Sequence, residues 1–148
     1  MPASTGAEVL RAAGVSCEGA DTTLGAVLLL SADHIVEAVA ALNEAGYDQF
    51  IDLFGTDTSQ AVEVTYHLRA LNKLEDVYLK CHVPYDGELR SVWAVYPAAL
   101  YPEREVAELL GFSLSGHPNP KRLLTTDGTP PLLRKSVAIR TAEEVQYS

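Results

Sequence analysis

Hydrophobic and polar positions alternate most regularly in two neighbouring stretches of the chain, residues 61–70 and 76–83. Apolar side chains take every second position in both: Val62, Val64, Tyr66 and Leu68 in the first, and Val77, Leu79, Cys81 and Val83 in the second. A period of two with one apolar face is typical of half-buried antiparallel strands. We therefore predict a β-hairpin that turns near residues 71–73, where Asn72 suits a turn.

Shorter patterns predict three helices and two further strands. In chain order these are a short helix over residues 7–13, a buried strand over 26–30, a helix up to residue 45 after an N-cap at Ser31, a strand over 50–54 and a helix from Pro102 that ends at Gly111. This order predicts the fold class α+β. We expect a two-layer domain, with helices packed on one face of a mixed, largely antiparallel sheet.

The last predicted helix carries two carboxylates near its start, Glu103 and Glu105. Acidic side chains in a first turn are stabilised by the positive end of the helix dipole. Because the two residues are two positions apart, they point to different faces of the helix. We therefore expect a structural role for Glu103 and Glu105, and not a paired-carboxylate catalytic site.

The net charge of −9 is unevenly distributed. Residues 1–112 contain six Lys and Arg against seventeen Asp and Glu, whereas residues 113–140 contain five against one. Closely spaced prolines and glycines in the second region oppose helices and weaken strands. We predict an α+β core over 1–112, with a loosely ordered start over 1–22, and an extended basic arm with a tail over 113–148. A solvated tail and an arm that lies on a partner both fit this composition.

Composition excludes several classes of function. A chain of 148 residues favours one domain, and its acidity opposes non-specific binding to nucleic-acid phosphates. No apolar run approaches the roughly 18–20 residues that span a bilayer, and the first residues do not resemble a signal peptide. Two distant cysteines cannot ligate an iron–sulfur cluster alone. We expect a soluble, intracellular domain that binds no cofactor of its own.

Candidate chemistry rests on few residues. His67 and His82 lie on the polar faces of the two hairpin strands, and with Glu63 they form the one metal-site hypothesis that the pattern offers. Cys81 lies on the apolar face and is expected to be buried. The chain has no nucleotide-binding glycine motif. A non-catalytic domain is favoured, and a stand-alone metal-binding protein or enzyme that uses His67 and His82 is the alternative.

A series of short motifs is more specific than composition. In chain order they are Val62–Leu68, Tyr78–Pro84, Ser91-Val92-Trp93, Tyr96–Ala99, Glu103–Val106, Leu110-Gly111-Phe112, Gly116–Asn119, Arg122-Leu123-Leu124 and Leu133-Arg134-Lys135. With them the chain resembles the 30-kDa subunit family of respiratory complex I (NADH-quinone oxidoreductase), over roughly residues 24–135. Related members occur in membrane-bound nickel–iron hydrogenases and formate hydrogenlyase. Ser136 and Val137 stand where the family has Asp and an aromatic residue, so we expect a divergent member.

The resemblance implies a non-redox assembly subunit in the hydrophilic arm of a complex-I-like donor:quinone oxidoreductase. Its expected partners are the hydrogenase-like large subunit and the small subunit with the terminal cluster. Iron–sulfur, nickel–iron or flavin centres would lie on partners, and the chain would be peripheral on the cytoplasmic face of the membrane. The equivalent subunit of a membrane-bound hydrogenase or formate hydrogenlyase is the alternative.

The residues expected at the partner interface combine apolar and basic side chains with a turn. Buried apolar side chains and arginine anchors are frequent at interfaces, and Gly116 and Pro118 would fix the direction in which the chain leaves the core. We expect a structural hydrogen bond from His117, with a proton-transfer role as the competing hypothesis. The full set is Arg104, Leu114, Gly116, His117, Pro118, Arg122, Leu123, Leu124, Arg134 and Lys135.

Overall fold

The computed structural model describes residues 2–22 and 25–118. Within them the chain forms three α-helices, seven strands and two short 3₁₀ helices. In chain order these are α1 (Pro2–Ala12), β1 (Cys17–Thr22), β2 (Gly25–Leu30), a 3₁₀ helix (Ala32–His34), α2 (Ile35–Glu44), β3 (Gln49–Asp57), β4 (Val62–Ala70), β5 (Glu75–Val83), β6 (Glu88–Arg90), a 3₁₀ helix (Pro97–Ala99), α3 (Leu100–Leu110) and β7 (Ser113–Ser115).

Five of these strands form one mixed sheet in the order β1-β2-β5-β4-β3. Strands β2 and β5 are parallel, and the other neighbouring pairs are antiparallel. In the predicted hairpin, Tyr66 lies opposite Leu79 and Val64 lies opposite Cys81. The apolar positions of β4 and β5 therefore share one face, and the predicted class, α+β with a mixed, largely antiparallel sheet, is confirmed.

The apolar face of the sheet is covered by helices. Helix α1 lies close to it at Gly6, where an added Cβ atom would lie 3.2 Å from Leu28 and 3.3 Å from Val77. Leu10 of α1 and Leu42 of α2 are fully buried with the strands. Removing these side chains from water is the main favourable contribution to folding, and it holds both helices on the same side of the sheet.

The region that the sequence predicts as a loosely ordered start, residues 1–22, contains helix α1 and strand β1. Helix α1 packs on the core, and β1 pairs with β2 from Cys17 opposite Leu30 to Thr22 opposite Gly25. The β1 segment contains Glu18, Gly19 and Asp21, residue types that are depleted in strands. It is extended because the free edge of β2 offers backbone hydrogen bonds, which a sequence pattern does not reveal.

Strand β3 extends further than the alternation predicts. It continues to Asp57, three residues beyond the expected end at Phe54, because β4 pairs with it along its length. Helix α3 packs directly over this strand at Gly55, where a Cβ atom would collide with the side chains of Val106 and Leu110. The absence of a side chain at Gly55 therefore sets how closely α3 approaches the sheet.

Helix α3 starts earlier than the sequence predicts. It begins at Leu100, and the 3₁₀ helix Pro97–Ala99 leads directly into it. Pro102 is therefore inside the first turn and not at its first position. Proline is tolerated there because the first N–H groups of a helix have no partner within it. The helix ends at Gly111 with φ +82°, the left-handed conformation predicted for a C-terminal glycine.

A second, two-stranded sheet ties the beginning of the predicted arm to the core. Strands β6 and β7 are parallel, with Leu89 opposite Leu114. Leu89 is buried, and Leu114 packs partly against the core. The rest of the predicted arm, from residue 119 onward, lies outside the described residues.

Candidate functional site

Glu103 is the centre of a cluster that joins two of the sequence motifs, Ser91-Val92-Trp93 and Glu103–Val106. Its carboxylate accepts a hydrogen bond from the Ser91 hydroxyl at 2.5 Å and from the Val92 backbone N–H at 2.8 Å. The side chain is almost completely buried, with 1% of its surface exposed. Helix α3 is therefore attached to the segment after β6 through its first turn. Glu103 acts through this contact as well as through the helix dipole expected from the sequence.

The environment of Glu103 changes its ionisation. Burial raises the pKa of the carboxyl above its ordinary value of 4.5, and the hydrogen bonds from Ser91 and Val92 and the nearby His117 act in the opposite direction. Burial is the largest of these effects. The two donors face the oxygens directly, so the site is built to hold an acceptor at this position.

His117 fixes the chain where it leaves the described domain. Its Nε2 donates to the backbone carbonyl of Leu100 at 2.8 Å, and the side chain is 8% exposed. The residue before it, Gly116, has φ +74°, a conformation that favours glycine. The backbone N–H of Ser91 donates to the carbonyl of Ser115 at 2.8 Å. The structural hydrogen bond expected of His117 is present, and it attaches the segment after β7 to the start of α3.

The other described residues of the predicted interface lie at or near the surface. Arg104 is half-buried, and its guanidinium carbon lies 5.9 Å from the centre of the Tyr101 ring. Leu114 is half-buried, whereas Pro118 is exposed. Glu105, for which a structural role in the helix was expected, is also exposed. The remaining predicted interface residues lie outside the described residues: Arg122, Leu123, Leu124, Arg134 and Lys135.

Two exposed aromatic residues beside this cluster were missed as interface candidates by sequence reasoning. Trp93 is 37% exposed and Tyr101 is 58% exposed. The backbone N–H of Trp93 donates to the Ser91 hydroxyl at 3.1 Å, which links Trp93 to the Glu103 cluster. Tryptophan and tyrosine are enriched among the residues that dominate binding energy at interfaces. The signal available in the sequence was that Trp93 is the only tryptophan of the chain.

The two histidines of the metal-site hypothesis are not brought together. His67 pairs across the strands with Tyr78, and its ring stacks on that side chain with centres 4.2 Å apart. His82 pairs with Glu63, four residues further along the strand, or roughly 13 Å at about 3.4 Å per residue. Within the described residues no group of three or more His, Cys, Asp or Glu side chains is arranged to hold a metal ion. The strand register therefore keeps His67 and His82 apart along the sheet.

The cysteines offer no activated thiol. Cys81 is fully buried on the helix side of the sheet, as predicted. Burial, together with the negative charge of Glu63, raises the pKa of the Cys81 thiol to about 12. Burial also raises the pKa of Cys17. Because the thiolate is the reactive form, neither environment favours nucleophilic chemistry.

The polar side chains of the motifs bond to one another and to backbone groups, and they hold together α3, the segment after β6 and the segment after β7. Within the described residues these motifs therefore make structural contacts. Over residues 2–22 and 25–118, no helix has both the length and the apolar character needed to cross a membrane.

Comparison with known proteins identifies the family. The model of the family described as "Respiratory-chain NADH dehydrogenase, 30 Kd subunit" matches residues 28–143, and the chain belongs to this family. It is 32% identical over 137 residues to the C subunit of NADH-quinone oxidoreductase from Phenylobacterium zucineum (strain HLK1), covering 87% of this chain and 65% of that protein. It is 31% identical over 131 residues to the corresponding protein of Moorella thermoacetica, covering 84% and 85%. The resemblance drawn from the motifs is confirmed.

The fold is also shared with solved structures. The trypsin-resistant fragment of Nqo5 matches with a TM-score of 0.68 and 26% identity, over 80% of this chain and 99% of the fragment. A chain of the archaeal membrane-bound sulfane sulfur reductase has the same fold, with a TM-score of 0.67 and 22% identity over 74% of this chain and 68% of that one. The chain spans 65% of the Phenylobacterium protein and 59% of the corresponding protein of Methylobacterium sp. (strain 4-46).

Proposed function

We propose that this chain is a non-redox assembly subunit in the hydrophilic arm of a complex-I-like donor:quinone oxidoreductase, peripheral on the cytoplasmic face of the membrane. It docks on the hydrogenase-like large subunit and on the small subunit that carries the terminal cluster. Family membership and the names of the NADH-quinone oxidoreductase relatives support this proposal. Electron transfer is the work of centres on the partner subunits, and this chain contributes position and contact.

One observation carries the proposal beyond the family. The buried Glu103 and His117 hold the segment after β6, helix α3 and the segment after β7 in one arrangement. The basic region begins at residue 113, and this arrangement fixes the position of its first residues, up to the exposed Pro118. A rigid exit point lowers the entropy lost when a following segment binds a partner. The geometry therefore supports docking through the C-terminal region.

The proposal is tested by affinity capture of the tagged full chain from detergent-solubilised membranes of its native host. We expect iron–sulfur and membrane subunits to co-purify. Arg122→Ala is expected to reduce their yield severalfold, because interface arginines are frequent anchors, and the exposed Arg11→Ala serves as the control. Recovery of the chain without other subunits would refute the proposal, and normal recovery with Arg122→Ala would remove that residue from the interface.

The same experiment separates the alternative complex. If nickel is found in the co-purified large subunit, the chain is the equivalent subunit of a membrane-bound hydrogenase or formate hydrogenlyase. If a flavin-containing NADH-oxidising module co-purifies, the complex is a respiratory NADH:quinone oxidoreductase. Metal and flavin analysis of the captured material distinguishes the two.

A further inference from the structure

Strand β3 is a long edge strand of the five-stranded sheet. Within the described part of the chain it pairs with β4 alone: eight of its nine residues, Gln49–Asp57, have a partner in β4, and the register shifts between Phe50 and Asp52. Its other edge has no partner strand within the described residues, which is the geometry that accepts an additional strand. The Leu53 backbone N–H donates to the Asp52 carboxylate at 2.8 Å, and an added strand would bond to the other groups of this edge. Ile51 and Phe54 are each 43% exposed along it. A long, partly apolar edge of this kind is a known template for strand addition.

A groove runs between this edge strand and helix α3. It has a volume of about 290 Å³. Its floor and walls are mostly apolar, and its lining residues are Asp52, Leu53, Phe54 and Gly55 from β3 and Pro102, Glu105, Val106, Leu109 and Leu110 from α3. A strand edge beside a helix offers two kinds of contact to one extended segment. The edge supplies backbone hydrogen bonds, and the helix supplies apolar surface for every second side chain.

The groove carries negative charge only. Its charged lining residues, Asp52 and Glu105, are both acidic and both exposed. Among the residues that the structure describes, no lysine or arginine lines it. Complementary charge across an interface selects the partner and speeds association. The groove therefore fits an extended segment that alternates apolar side chains with Lys or Arg. A second copy of this chain would bring two acidic rims together, which opposes pairing through this edge.

We propose that the groove between β3 and α3 binds an extended, Lys- or Arg-bearing segment of another subunit of the complex, which adds as a strand to the edge of β3. This rests on the proposed function, which already assigns the C-terminal region of this chain to a partner's surface. The groove would then be a second attachment point, separate from the Glu103 cluster, and it would fix the orientation of the domain as well as its location.

The proposal is tested by photo-crosslinking in the assembled complex. Benzoyl-phenylalanine is introduced at Ile51 in the tagged full chain, and at Leu74 as the control, since Leu74 is 84% exposed in the turn between β4 and β5. After irradiation of host membranes and affinity capture, the cross-linked peptides are identified by mass spectrometry. We expect position 51, and not position 74, to attach to one segment of another subunit that carries apolar residues with Lys or Arg.

A charge-reversed variant provides the second measurement. Asp52→Lys combined with Glu105→Lys is expected to lower the yield of this cross-link about tenfold. The control is Glu88→Lys, at an exposed acid on β6. Circular dichroism and thermal unfolding of each variant verify that the domain is folded.

The outcomes separate this inference from the proposed function. Attachment of position 51 to residues 119–148 of the same chain or to a second copy would overturn the inference. So would the absence of a cross-link while other subunits still co-purify, and in both cases the proposed function stands. If no subunits co-purify with the unmodified chain, both proposals fail.

Discussion

The carboxylate of Glu103 and the hydroxyl of Ser91 are joined by a 2.5 Å hydrogen bond between two segments separated by twelve positions in the chain. Together with the bond from the Val92 backbone N–H, it attaches the segment that follows β6 to the first turn of α3. The family motifs around Ser91 and Glu103 therefore contact each other directly in the folded protein. Substituting Glu103 tests how much this contact contributes to the stability of the domain.

Truncation of Glu103 is expected to be costly, and amide substitution much less so. Glu103→Ala leaves the Ser91 and Val92 donors without an acceptor and opens a cavity, which should lower the free energy of unfolding by about 2–4 kcal/mol. Glu103→Gln retains an acceptor and the volume of the side chain. Urea unfolding of both variants measures the difference. Equal losses for Ala and Gln would show that the hydrogen bonds are not the source of the effect.

The raised pKa of Glu103 predicts a specific pH dependence. In the unfolded chain the carboxyl ionises near 4.5, whereas the folded protein retains the proton to higher pH because the group is buried. Between these two values the folded state binds more protons, so its stability falls as pH rises through the folded pKa. Glu103→Gln removes this titration. Relative to the variant, the natural chain should therefore be more stable at pH 4 than at pH 7. A difference that is constant or grows with pH would contradict the assignment.

Gly55 is expected to resist any side chain. A Cβ atom at this position would collide with Val106 and Leu110 of α3. Gly55→Val should therefore displace the helix and destabilise the domain by about 1–3 kcal/mol. Thr56→Val, at the exposed next position of the same strand, is the control and should change stability much less. Thermal unfolding gives the comparison, and an unperturbed Gly55→Val protein would mean that α3 is not held against β3 at this point.

The hydroxyl of Tyr96 makes a buried contact that can be removed without changing the packing of the ring. It donates to the backbone carbonyl of Tyr47 at 2.6 Å, and Tyr96 is 3% exposed. Tyr96→Phe leaves that carbonyl without this donor and should cost about 1–2 kcal/mol of unfolding free energy. Tyr101→Phe, at an exposed tyrosine, should have no measurable effect. Chemical unfolding of the two variants side by side tests this, and equal stabilities would exclude a role for the Tyr96 hydrogen bond.

The β4–β5 hairpin and the end of α3 could be predicted because each depends on residues that are close together in the sequence. The alternation in β4 and β5 places their apolar side chains on one face, and this face became the core. Gly111 ends α3 because a left-handed residue is needed there, and glycine adopts that conformation at least cost. Strand β1 and the extension of β3 were not predictable in this way. Both depend on hydrogen bonds to a neighbouring strand, and not on their own residues.

The candidate site divides in the same manner. The α+β class and the hairpin follow from the spacing and type of the residues, and the ordered motifs carry the resemblance to the family. The contacts of Glu103 with Ser91 and Val92, the bond from His117 to Leu100 and the separation of His67 from His82 depend on how the elements pack. The groove between α3 and the edge of β3 depends on this packing too. These relationships join residues distant in the chain, and they are set by strand register and helix packing, which no local pattern specifies.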